Sequence, residues 1–135
     1  MKLIENTLKF IFLIITLTFS ESLFSQVHNQ SWKNIIHQNK DDWFKTNEAK
    51  EIAENVLLYQ REIGGWPKNI QMQNPLSEAE KQNLKALKSS TKEITTDNGA
   101  TIQEMLFLSK MYAQNKDKKY ENAFLKGLDY LLAAQ

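Results

Sequence analysis

Two of the four glycines in this chain are neighbours, Gly64 and Gly65, and Trp66 and one of only two prolines, Pro67, follow at once. Glycine and proline both interrupt a helix. A tryptophan placed directly on such a break carries a large apolar ring that needs a partner. The segments on either side have helical spacing, so the break requires a chain of helices joined by structured loops.

From Thr46 onward apolar residues recur at Ile52, Val56 and Tyr59, with Ala49, Ala53 and Leu57 beside them, the spacing of one helix face. Glu48 and Glu51 fall in the first turns, where the helix dipole favours negative charge. Gly64-Gly65 is expected to end this helix. Ser77 with Glu80 forms a capping-box pattern opening a short helix to about Lys88. A polar loop, SSTKEITTDNGA, occupies residues 89–100. A third helix is predicted from about Ala100 to Asn115, with Ile102, Met105, Leu106 and Tyr112 as its apolar stripe and Leu108 and Met111 adjoining. A fourth covers about Lys118 to Ala134, with Tyr120, Ala123, Phe124, Leu128, Leu131 and Leu132 facing inward. Residues 26–45 read as a lead-in segment or short helix with scattered aromatics. No stretch alternates as a strand does, so the expected class is all-α. Long loops between helices are often functional.

The first 25 residues are expected to be a signal peptide. Lys2 and Lys9 precede FIFLIITLTF, residues 10–19, an apolar run of the length of an export signal and too short to span a bilayer. Small residues at Ser20, Ser22 and Ser25 place cleavage between residues 22 and 26. The mature chain of about 110 residues is then secreted or periplasmic, with no membrane attachment, and has enough length for a modest core. The absence of cysteine excludes disulfides, thiolate metal sites, a cysteine nucleophile and an acyl anchor. With 17 basic and 16 acidic residues the net charge is +1, which gives no electrostatic pull toward nucleic acid.

Taken from the residues alone, Asp97, in a loop ahead of a helix and beside Asn98, is either an N-cap or an oxygen ligand for a metal. Lys68 and Asn69 follow the Trp-Pro turn, where a lysine is either solvated or holds an anion as a point charge. Trp66 is a packing anchor or a platform for a ring. Thr101 and Glu104, opening the third helix, both read as capping or solvated side chains.

The blocks QREIGGWPKN (residues 60–69), TTDNGAT (95–101) and YENAFLKGLDYLLAAQ (120–135), in this order, resemble the calcium-dependent pectate lyases of the α/α-barrel type, over roughly residues 45–135. The resemblance implies a secreted enzyme that cleaves polygalacturonate by β-elimination. It also implies a toroid of alternating inner and outer helices with the site where the loops gather. On that reading Asp97 is the Ca²⁺ ligand, and Asn98, Lys68, Asn69 and Trp66 contact substrate. The base looks to be an arginine from a later segment; the single arginine, Arg61, does not match it, and His28 and His37 lie outside the matched blocks. VLLYQ (56–60) echoes LLAAQ (131–135), which suggests that these residues are the front third of a longer barrel, without the catalytic base and inactive alone.

Two other readings share the turn. Gln60 to Trp66 also reads Gln-x-x-x-Gly-Gly-Trp, similar to turns of α/α-barrel triterpene cyclases, but no aspartate-rich acid motif accompanies it. An exported non-catalytic carbohydrate-binding module would keep Trp66 and lose the metal site.

Overall fold

The structure, a computed structural model, describes residues 30–38 and 40–134. The expected signal peptide, its cleavage point and His28 lie outside these residues. The described helices belong to one compact unit beginning at Ser31. They are α1 (Trp32–Gln38), α2 (Asn47–Tyr59), α3 (Glu78–Ala86), α4 (Ile102–Asn115) and α5 (Lys118–Ala133), with 3-10 turns at Asp41–Lys45 and Asp97–Gly99. The all-α expectation holds. Among the described residues there is no strand, only one isolated antiparallel bridge between Pro67 and Ile94.

Local signals set several boundaries. The Thr46 side chain accepts from the Ala49 N–H and starts α2. Ser77 and Glu80 form both halves of the capping box that starts α3. Asp117 accepts from the Lys119 N–H and starts α5, immediately after Lys116 closes α4 with left-handed backbone at φ 57°. The two-residue link makes α4 and α5 an antiparallel hairpin, the most extensive helix pairing in the fold.

The segment read as a lead-in builds part of the core. Trp32, Ile35, Ile36 and Phe44 are buried. Trp32 and Phe44 pack on Phe107 of α4, with ring centroids 5.0 and 5.8 Å away, and Trp43 meets Phe44 edge-on at 5.0 Å. These are favourable aromatic geometries. Lys110 donates to the Ile36 carbonyl at 2.7 Å and Asn115 to the Phe44 carbonyl at 2.8 Å, so α4 also satisfies backbone oxygens that the short elements leave open.

Three expectations change. The glycine pair does not end α2. The helix stops at Tyr59, because Gln60 takes extended backbone at φ −61°, ψ 131°. Its side-chain amide donates to the carbonyls of Gly64 and Ala123, both at 2.8 Å. The buried face of α4 is Glu104, Met105, Phe107, Leu108 and Met111, and Ile102 and Leu106 of the predicted stripe are exposed. On α5, Tyr120, Ala123 and Gly127 are buried, whereas Leu128 and Leu132 face water together with Leu125.

Candidate functional site

Everything at the site follows from how the Gly-Gly-Trp-Pro turn is fastened. Gly64 has φ +109°, and its α-carbon lies so close to the Lys126 carbonyl oxygen that an added Cβ would overlap it. The loop closes on itself through Gly64 N–H to Arg61 O at 2.9 Å and Arg61 N–H to Gly65 O at 3.0 Å. Trp66 is wholly buried. Its indole N–H donates to the Val56 carbonyl at 2.7 Å, and its ring lies over Gly127, where a Cβ would come within 3.0 Å of it. Of the two roles open to Trp66, its burial matches the anchor; the ring offers no face to a sugar.

The same residue reaches the acidic loop. The Trp66 backbone N–H donates to the Thr101 hydroxyl at 3.1 Å, and that hydroxyl donates to the Thr95 carbonyl at 3.1 Å. Thr101 is fully buried and makes no side-chain cap; it sits at φ 67°, a costly region for a β-branched residue. The expected cap is therefore a rivet between two loops, which compensates the strained backbone.

The rivet brings the sequence-predicted residues together. Lys68 and Asp97 pair at 3.1 Å, with side chains 44% and 66% exposed. Next to them the Asn98 amide donates to the Asn69 side-chain oxygen at 3.3 Å. Both asparagines adopt left-handed backbone, φ 62° at Asn69 and φ 55° at Asn98, which asparagine tolerates better than most residues. Asp97 does not cap α4: it opens the 3-10 turn, its N–H bonded to the Thr95 hydroxyl at 3.0 Å. Four of the five predicted site residues thus share one exposed face across two loops. Arg61 is not among them. It is buried with its guanidinium turned to the Tyr59 carbonyl at 3.1 Å. His37 is on the last turn of α1, exposed.

The donors on this face are hard oxygens of the kind Ca²⁺ prefers, but they comprise one carboxylate and neighbouring amides. Among the described residues no cluster of three or more acidic, histidine or cysteine side chains forms. Ca²⁺ takes about six to eight oxygens. Asp97 would offer such an ion one oxygen ligand, leaving the rest of its coordination to groups beyond this face.

Sequence reasoning missed Glu104. It is 97% buried, being 3% exposed, and its Oε1 accepts from the Trp32 indole N–H at 2.7 Å. Its Oε2 is buried without a hydrogen-bond partner. Burial pushes the carboxyl above its ordinary value of 4.5, opposed by the Trp32 bond and by the backbone N–H groups of Glu104 and Thr101. A helix-opening glutamate gives no local sign of this, because its partner lies 72 residues earlier. A raised folded pKa means that the folded protein holds the proton where the unfolded chain releases it. Stability is therefore lost as pH rises from about 4.5 through the folded value. Glu104→Gln keeps an acceptor for Trp32 and removes the charge. Relative to wild type its stability is expected to rise as pH goes from 4 to 8, read from paired urea titrations; a constant difference across that range would refute the assignment.

A helical chain whose tied loops gather lysine, aspartate and amides on one exposed face presents polar groups placed to orient a ligand. The pectic acid lyase family model matches residues 60–135, more than half of the chain, and the chain belongs to this family. The matched stretch begins at Gln60, the residue that pins the turn, and contains Lys68, Asn69, Asp97 and Asn98. Among solved structures the chain is similar to a family 10 polysaccharide lyase from Cellvibrio cellulosa, at 31% identity and TM-score 0.46, over 70% of this chain and 27% of that one. The chain therefore spans about a quarter of that structure's length. No curated protein matches it.

Proposed function

We propose that this chain contributes the substrate-gripping loops of a pectate lyase that cleaves polygalacturonate by calcium-assisted β-elimination. The supporting observation is the meeting of Lys68, Asn69, Asp97 and Asn98 on one exposed face, inside the stretch that matches the pectic acid lyase family.

Elimination from a galacturonate requires that the ring carboxylate be neutralised, that a base take the C5 proton and that the C4 oxygen leave. Lys68, released from Asp97, pairs with a substrate carboxylate as a point charge. The Asn69 and Asn98 amides orient hydroxyls and hold the ring in register. Asp97 keeps a carboxylate facing the substrate and would hold Ca²⁺ there. When bound, Ca²⁺ supplies Lewis-acid stabilisation of the charge that develops on the uronate. Trp66 and Thr101 act at one remove, fixing both loops so that these groups need not be ordered at binding. None of the described residues at this face is a suitable base. The family resemblance implies an arginine from elsewhere in the enzyme, with the helices described here forming the front of an α/α toroid and the whole exported. The 135 residues alone are then expected to bind pectate without cleaving it.

Full-length protein should release unsaturated, ultraviolet-absorbing product from polygalacturonate, lose that activity on chelation and regain it with Ca²⁺. Activity indifferent to chelation would refute the calcium role. Pectate binding without product would identify a carbohydrate-binding module instead.

A further inference from the structure

Beside the Lys68–Asp97 face lies a crevice of about 140 Å³ that the proposed reaction leaves unused. It runs between α1 and the two site loops, and Trp32, Asn69, Gln71, Asn98, Gln103 and Glu104 line it. Asn69 and Asn98 belong to both places, so the surface is continuous from the charged pair into the crevice. We propose that this crevice is a further saccharide subsite that takes one ring of the same galacturonan chain, hydroxyl edge inward; this rests on the reading of the neighbouring face as a pectate site.

Three observations carry it. The first is size. A cavity of about 150 Å³ accepts a benzene ring, so this one accommodates much of a pyranose. The second is the mixture of surfaces. Pro67 and Ile70 add apolar wall to the amides of Gln71, Asn98 and Gln103, matching a sugar ring's C–H faces and hydroxyl rim. The third is Glu104, 97% buried at 3% exposure, which lines the crevice with one carboxylate oxygen bonded to Trp32 and the other without a partner. A buried acceptor without a donor is unfavourable, and a ring hydroxyl supplies that donor. Lys33, exposed and also on the lining, attracts a uronate carboxylate. The ring therefore enters with its hydroxyls toward Glu104 and its carboxylate toward Lys33.

The full chain, in calcium-containing buffer, is titrated calorimetrically with galacturonate oligomers of increasing length. Affinity is expected to step up about tenfold at the length that reaches the crevice. Ala100, buried on the crevice lining, is replaced in Ala100→Leu to fill it. This variant should bind short oligomers normally and lose the step. In nitrogen-labelled wild type the Trp32 indole N–H resonance should move only with the longer oligomers, which decides the matter even where Ala100→Leu does not fold. Short oligomers binding without any step, or a step with an unmoved Trp32 resonance, would overturn the subsite and leave the proposed function standing. Galacturonates failing to bind while a neutral galacto-oligosaccharide moves Trp32 would overturn the proposed function and keep the crevice as a saccharide site. Failure of both ligands overturns both.

Discussion

In the full-length enzyme of the proposed function, Asp97→Ala is expected to lower the formation of unsaturated product from polygalacturonate by a factor of about 10³ or more, the scale of removing a group that stabilises developing charge. The helical circular dichroism and melting temperature should be nearly unchanged. The contrast is what makes the test decisive. Asp97 is 66% exposed and its side chain's ion pair is with Lys68 alone, a surface pair worth about 0–1 kcal/mol. It caps no α-helix, since α4 starts later at Ile102 with no side-chain cap. A purely structural Asp97 would produce the opposite result: a lower melting temperature and activity retained at permissive temperature. Product formation that survives the substitution would remove Asp97 from the site.

Gly64→Ala should destabilise the fold by about 3 kcal/mol or more, a fall of about 15 °C in melting temperature for a domain of this size. Two causes add. The residue sits at φ +109°, and the new Cβ would overlap the carbonyl of Lys126, part of the α5 backbone, with Tyr130 close behind. Backbone cannot step aside as a flexible side chain can. Gly99 provides an internal comparison. It also has positive φ, at +77°, but the nearest atoms to its added Cβ belong to the Gln103 side chain, which can swing away. Gly99→Ala should cost only about 1 kcal/mol. If both variants melt alike, the turn is not clamped against α5 in the way the geometry indicates.

What could be read from residue order was what depends on neighbours in sequence. Thr46, Ser77 and Glu80 announce helix starts because a cap involves only three or four residues. The juxtaposition of Lys68 and Asn69 with Asp97 and Asn98 was legible only through family resemblance, since the groups are 29 residues apart. The end of α2 was misplaced because its cause is remote: the Gln60 amide bonds Ala123, 63 residues away. Glu104 was misread for the same reason. Its environment is Trp32, and no rule of composition buries a glutamate at a helix start. Ile102 and Leu106 were assigned inward because they are apolar, yet Glu104 and Phe107 took the buried face of α4. Periodicity establishes that a helix has two sides; the partners brought by distant segments choose which side turns in.

The hydroxyl of Thr101, held between Trp66 and Thr95, has a consequence for working on a polymer. The two loops it joins surrender their freedom when the chain folds, so docking a strand need not freeze them again. On the proposed function, a sugar polymer would meet a surface that is already set before it arrives.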